Sequence, residues 1–178
     1  MASVYVIGQV TGGSGFPSGN RGLSCKWQLT TGSSWTKIAG LESGETQVDF
    51  PSGGQPAVFS HPLDIHYSAS QIQGWPKFQC TVYQQDAFGR NDVVGYGFCH
   101  IPTSAGQHEV ECMTWRPVST VGDEVQAFFV GGNPQLKDDS LVTSSIDRFK
   151  LRTKTMGTVS LTVSVLLKGF SKHGLIFE

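Results

Sequence analysis

The chain has 178 residues, of which only 15% are charged, and its formal net charge is −1 at pH 7. This balance provides no basic footprint for nucleic acid and little electrostatic attraction to anionic lipid, so we expect no nucleic-acid partner. Its 22 glycines and 8 prolines divide the sequence into many short segments. That composition favours an all-β fold, and the length fits a single domain over residues 1–178.

Alternation of apolar and polar residues predicts the first strands, because successive side chains of a strand point to opposite faces. Weak alternation at residues 4–10 is followed by a Gly-, Ser- and Pro-rich stretch at 12–22, which predicts a long loop. The next strand is clear, since its odd positions are apolar and its even positions polar: Leu23, Cys25, Trp27 and Leu29. Weaker strands are predicted at residues 46–49 and 58–67.

The second half of the chain continues the pattern. Strong alternation at residues 78–82 and 159–167 predicts two half-buried strands, and weaker patterns occur at 93–101, 108–113 and 149–152. Residues 123–130 differ, because acidic residues precede apolar residues at helical spacing and two glycines follow. We therefore predict an antiparallel two-sheet β-sandwich with a short crossover helix near residues 123–130.

Residues 82–102 are the most informative segment, a predicted strand, loop and strand. The loop carries Asp86 and Asp92, whose carboxylates are oxygen ligands of the kind that calcium prefers. Calcium takes about six to eight oxygen ligands, and the neutral Gln84 occupies the position where a third carboxylate would help most. We therefore predict a degenerate calcium loop at Gln84, Asp86 and Asp92 that holds no metal ion.

Candidate catalytic groups are few. The five histidines are scattered without metal-ligand spacing, and Cys99 and His100 point to opposite faces of a predicted strand, so they cannot form a nucleophile–base pair. The first residues lack the charged and apolar regions of a secretory signal, and no apolar tract is long enough to span a bilayer. We predict a cytoplasmic protein with free thiols, no enzymatic activity and no cofactor.

Several blocks of the sequence resemble known families. Residues 82–102 are similar to the calcium-loop segment of C2-type lipid-binding sandwiches, and the closer resemblance is to the B9 domain family, a divergent branch of that fold. The blocks that carry it extend in order to about residue 168 and are more specific together than any single motif: Gly74-Trp75-Pro76, Asp86-Ala-Phe88-Gly89-Arg90, Gly95-Tyr-Gly-Phe98-Cys-His-Ile-Pro102, Thr114-Trp115-Arg116-Pro117 and residues 129–136.

The resemblance implies a C2-like sandwich that acts without enzymatic activity in the cilium. Such a protein would be a subunit of the transition-zone complex, a Meckel syndrome and tectonic-like assembly, and would support cilium assembly and gating. Its implied partners are other B9 domain proteins, including Meckel syndrome protein 1, and the tectonic-type complex. Its implied location is cytoplasmic, at the transition zone of the cilium and the basal body.

Five residues in these blocks are candidates for contact with a partner or for clamping a loop: Trp75, Phe88, Arg90, Trp115 and Arg116. Large aromatic side chains at strand ends usually close a sandwich, whereas aromatic and arginine side chains also dominate interface hot spots. The two arginines could hydrogen-bond loop carbonyls or pair with Asp86 or Asp92, which would make those carboxylates structural.

An alternative function is a peripheral membrane module of the C2 kind that binds phospholipid. In that case the loops near Phe16–Pro17 and Phe88 would enter the headgroup region and give a weak membrane contact. The lack of acidic residues in the 12–22 loop and the low net charge favour the protein-interaction hypothesis.

Overall fold

The computed structural model describes residues 2–17, 21–118, 142 and 152–170. Nine antiparallel strands make up most of them, and no α-helix occurs in these ranges, so the predicted all-β class is confirmed. The strands are β1 (Ala2–Ser14), β2 (Gly22–Thr30), β3 (Trp35–Gly40), β4 (Ser43–Glu45), β5 (Ala57–Ala69), β6 (Lys77–Gln85), β7 (Asn91–His100), β8 (Gly106–Pro117) and β9 (Thr153–Lys168).

One sheet, in the order β3-β5-β1-β9-β8-β7-β6-β2-β4, curls into a half-barrel around a shared core. The prediction of two separate sheets is not confirmed, because β7 and β8 join the two halves through the pairs Tyr96↔Trp115 and Gly97↔Thr114. Gly97 permits this join: a Cβ there would lie 2.9 Å from the Met113 carbonyl oxygen and 3.0 Å from Cys112 Sγ. The predicted crossover helix near 123–130 lies outside the described residues.

The strongest alternations are confirmed by burial. The inward side chains of β2, β6 and β9 lie in the core with those of β1 and β5. Among them Trp27 is 3% exposed, and Cys80 Sγ lies 3.6 Å from Cys112 Sγ with both thiols free. Contact with Cys80, together with burial, raises the pKa of the Cys112 thiol well above its usual value, so this thiol remains protonated.

A short segment ties the two edges of the sheet together. Gly40 of β3 pairs with Ile65 of β5, and two residues later the Glu42 carbonyl accepts the Leu29 N–H of β2 at 2.7 Å. Farther along, Asp49 forms a bridge to Leu23 while its carboxylate accepts the Val58 N–H of β5 at 2.9 Å. The segment between β3 and β5 therefore connects the two edges of the curled sheet by hydrogen bonds along its open side.

One strand predicted within this segment is wrong. Residues 46–49 are not a strand, because their hydrogen bonds run from single positions such as Thr46 N to the Cys25 carbonyl and from the isolated Asp49 bridge. The strand β3 had no predictive pattern, since it is an edge strand whose residues after Trp35 are exposed. The predicted strand at 149–152 lies outside the described residues except for Arg152, which is not in a strand.

The described part of the chain includes no helix with the length and apolar character that a membrane span needs.

Candidate functional site: the β6–β7 turn

Asp86 organises the turn that joins β6 to β7. Its Oδ1 accepts the backbone N–H of Phe88 at 2.8 Å and that of Arg90 at 2.9 Å. Its Oδ2 accepts Arg90 Nε at 2.8 Å and forms an ion pair with Arg90 Nη2 at 2.8 Å. Gly89, with φ of +79°, supplies the left-handed residue that the turn requires. Both carboxylate oxygens are therefore engaged inside the turn.

These contacts set the charge state of the turn. The Arg90 backbone N–H makes the largest contribution to lowering the pKa of the Asp86 carboxyl below its usual value, and the Arg90 side chain and the Phe88 N–H add to it. The carboxylate is consequently charged near neutral pH, and its charge offsets that of the Arg90 guanidinium. The turn is not a basic surface.

Phe88 stands at the tip of this turn and is 85% exposed, the largest exposure of any large hydrophobic side chain in the described ranges. The Arg90 guanidinium carbon lies 5.6 Å from the centroid of its ring, a cation–π distance. A ring presented in this way on a fixed backbone has the character of an interface anchor.

Gln84, the neutral member of the predicted calcium loop, has a different role. It is 6% exposed, its amide donates to the Pro17 carbonyl, and its Oε1 accepts Arg21 Nη1 at 3.2 Å. It thereby fastens the β1–β2 loop to β6, which no spacing in the sequence indicated. Asp92 lies opposite Gln84 in the β6–β7 ladder. Across the described ranges, no group of three or more His, Cys, Asp or Glu is placed to share a metal ion.

Trp75 is a core residue and not a surface anchor. It is 9% exposed, its Nε1 donates to the Ile101 carbonyl at 2.9 Å, and its ring meets Trp35 edge-on at a centroid distance of 5.2 Å. Phe170 packs on it at 6.3 Å. Trp75 therefore closes the end of the half-barrel opposite the β6–β7 turn, and its side chain is buried there.

Trp115 and Arg116 lie on β8, away from the turn. Trp115 is 7% exposed, and its ring lies 5.9 Å from Tyr96 in a second apolar cluster that also contains Val93 and Val142. Arg116 is half-buried opposite Lys154 of β9. Of the five candidates in the sequence, Phe88 and Arg90 alone meet in one exposed site in the described structure.

Phe16 contradicts one part of the membrane hypothesis. Its side chain is 8% exposed and belongs to the main core, where a Cβ on Gly157 would lie 2.6 Å from its ring. The ring therefore cannot enter a headgroup region without leaving the core. The expected insertion of the Phe16 ring is therefore wrong, whereas the Phe88 ring is exposed.

Comparison with known proteins identifies relatives over nearly the whole chain. A family model described as "Ciliary basal body-associated, B9 protein" matches residues 4–166. The chain is 45% identical to B9 domain-containing protein 2 of Danio rerio over 175 residues, which cover 98% of this chain and 99% of that protein. It is 32% identical to the protein of the same name from Drosophila melanogaster over the full length of both. Identity to B9 domain-containing protein 1 of Mus musculus is 32% over 155 residues, covering 85% of this chain and 76% of that protein.

Proposed function

The chain belongs to the B9 domain family, and from that membership we propose that it is a non-enzymatic subunit of the ciliary transition-zone complex. The family is described as associated with the ciliary basal body, which supports a place at the base of the cilium. We propose that the chain supports cilium assembly and gating by binding other B9 domain proteins, including Meckel syndrome protein 1, within a tectonic-type assembly.

The β6–β7 turn is the observation that best supports a binding role. Phe88 exposes a large apolar surface, and the hydrogen bonds of Asp86 already hold the backbone beneath it. A preorganised anchor loses little conformational freedom when it enters a partner pocket, so more of its burial free energy contributes to affinity. We assign Phe88 and Arg90 as the partner-contacting residues of this turn.

The sheet edges are poorer docking elements than the turn. β3 carries a register shift between Lys37 and Ala39, and β4 is only three residues long. The part of β5 beyond β3 includes Pro62, which has no N–H to donate. Bulges, short edge strands and edge prolines all oppose strand addition, so we favour contact through loops and faces.

Reconstitution tests the proposal directly. Co-expression with B9 domain-containing protein 1 and Meckel syndrome protein 1 of the same organism should give a complex that survives size-exclusion chromatography. Phe88→Ser should weaken it about 30-fold or more, which corresponds to the loss of roughly 2 kcal/mol or more at an interface hot spot. The matched control is Leu41→Ser, which removes a 71% exposed side chain between β3 and β4.

Two outcomes would contradict these assignments separately. If the wild-type proteins elute apart at micromolar concentration, the subunit proposal fails. If they elute together and Phe88→Ser binds like the Leu41→Ser control, the chain is a subunit but the turn is not a contact. Sedimentation of the isolated chain with anionic liposomes, abolished by Phe88→Ser, would instead favour the phospholipid-binding alternative.

A further inference from the structure

The outer faces of the two halves of the sheet, meaning the faces turned away from the core, differ in what covers them. On the β6–β7–β8 side, Tyr96, Trp115 and Val142 belong to one buried apolar cluster. On the β1–β9 side, Ile7 of β1 is 43% exposed and Leu166 of β9 is 53% exposed. Large apolar side chains on the outside of a central strand pair require a physical explanation.

These apolar side chains are contiguous. Tyr5 pairs with Leu166 across β1 and β9, and Ile7 follows two residues along on the same face. The His66 ring of β5 stacks on Tyr5, with centroids 3.9 Å apart and planes 13° from parallel. The result is an apolar patch that spans β5, β1 and β9.

The rest of this face is uncharged at its centre. Thr162 of β9 faces Thr11 of β1, and their hydroxyl oxygens are 3.3 Å apart. Side chains that alternate with the buried valines of β9 point outward and are small hydroxyls before Leu166: Thr158, Ser160, Thr162 and Ser164. We call the outer surface of β5, β1, β9 and β8 the β1–β9 face. Depletion of charge at the centre is the compositional mark of an interface core.

Acidic residues line both sides of the β1–β9 face. Glu109 and Glu111 of β8 are exposed and lie opposite Thr162 and Ser160, and the exposed Asp64 of β5 lies opposite Ile7. No ion pair engages these three carboxylates within the described ranges. Lys168, opposite Ser3, is the basic residue at the end of β9. The face thus has an uncharged centre with a predominantly acidic rim.

We propose that the β1–β9 face docks another B9 domain protein whose surface is uncharged at its centre and carries lysine or arginine opposite Glu109, Glu111 and Asp64. This inference rests on the proposed function and adds a second surface to the β6–β7 turn. Opposite charges across a rim fix the docking register and accelerate association, while like charges at short range oppose it.

The same charges argue against other occupants. Two copies of this chain, apposed through the same face, would bring acidic rims together. An anionic lipid surface and a nucleic acid would both be repelled by the carboxylates. A basic-rimmed protein surface is the occupant that fits the apolar centre and the rim together.

The test uses the reconstituted complex of the full chain with B9 domain-containing protein 1 and Meckel syndrome protein 1, with the dissociation constant measured for each pair. Leu166→Arg places a charge in the apolar centre and should weaken one pair by about 100-fold or more. The double variant Glu109→Lys/Glu111→Lys should weaken the same pair by about 10-fold and reduce the salt dependence of its association rate. Glu45→Lys, an exposed residue of β4, is the matched control and should bind like the wild type.

Three results would contradict different parts of the proposal. Leu166→Arg with an unchanged melting temperature and wild-type affinity for both partners overturns this inference while the proposed function stands. A double charge variant that binds like Glu45→Lys overturns the basic partner surface. Failure of the wild type to bind either protein overturns the proposed function and this inference together. If Leu166→Arg fails to fold, Ile7→Arg provides the same centre substitution on the neighbouring strand.

Discussion

The two ends of β6 present aromatic residues in opposite ways. Before β6, Trp75 is 9% exposed and donates a hydrogen bond to Ile101. After β6, Phe88 is 85% exposed on a turn whose hydrogen bonds are internal. Both residues stand next to a glycine with positive φ. Local sequence therefore does not decide burial; the presence of a facing segment does.

We call the end of the half-barrel at Trp75 the closed end and the end at the β6–β7 turn the open end. The segment that faces Trp75 at the closed end is the β2–β3 loop. Gly32 N–H donates to the Gly74 carbonyl at 2.9 Å, and Trp35 from the start of β3 packs on Trp75. At the open end, Asp86 satisfies the N–H groups of the turn without help from another loop. The aromatic ring at one end is consequently packed, while the ring at the other end is exposed to solvent.

The largest expected effect is at the closed end. Trp75→Ala should reduce the free energy of unfolding by about 3–5 kcal/mol, because it leaves a cavity against Trp35 and Phe170 and removes the Nε1 hydrogen bond. Equilibrium denaturation followed by circular dichroism measures the loss. A decrease below about 1 kcal/mol would show that this end is not a packed closure.

Two glycines sharpen the comparison, because both have φ near +80°. Gly74→Ala and Gly89→Ala should share the penalty of a left-handed alanine, about 1–2 kcal/mol. A Cβ at Gly74 would in addition lie 2.4 Å from Gly32 Cα, whereas nothing lies within 4 Å of one at Gly89. Gly74→Ala should therefore be the more destabilising by about 1 kcal/mol or more. Equal losses in denaturation would mean that the closed end relaxes around the new methyl group.

Sequence pattern predicted the part of this fold that depends on single strands. Strict alternation on β2, β6 and β9 identified side chains such as Trp27 that are buried, because a period of two reflects one buried face. It did not predict the curl of the sheet, which depends on the β7–β8 join between residues distant along the chain, nor the edge strand β3, whose residues after Trp35 are exposed.

The candidate site could likewise be predicted from the sequence only where its contacts are local. The block from Asp86 to Arg90 is local, so its spacing could suggest an aspartate–arginine pair within a turn. The sequence predicts Gln84 as the neutral position of a degenerate calcium loop, whereas in the structure its amide group hydrogen-bonds Pro17 and Arg21 of another loop. Such roles depend on contacts across the fold that one sequence does not reveal. Whether Phe88 and Trp75 are exposed or buried depends on the segments that face them, and the sequence alone does not show these segments.

A smaller effect is expected from titration of the open end. The lowered pKa of Asp86 means that its carboxylate stabilises the turn above the ordinary carboxyl pKa, and that this contribution is lost as pH falls through the lowered value. The melting temperature of Asp86→Asn should be below that of the wild type at neutral pH, and the difference should vanish in acid. A difference that persists at pH values below this lowered pKa would assign the effect to the shape of the side chain and not to its charge. Asp92→Asn on the adjacent strand is the control.

The smallest effect on stability is expected at Phe88 itself. Its ring has 85% exposure, so Phe88→Ser removes almost no buried apolar surface and should change the free energy of unfolding by no more than about 0.5 kcal/mol. The turn should persist, because the backbone hydrogen bonds that fix it are made to Asp86 and not to the ring. Denaturation of Phe88→Ser and Trp75→Ala side by side measures the contrast between the ends. A stable Phe88→Ser protein that has lost its B9 partners would separate binding from folding at this residue, whereas a destabilised one would make Phe88 part of the fold.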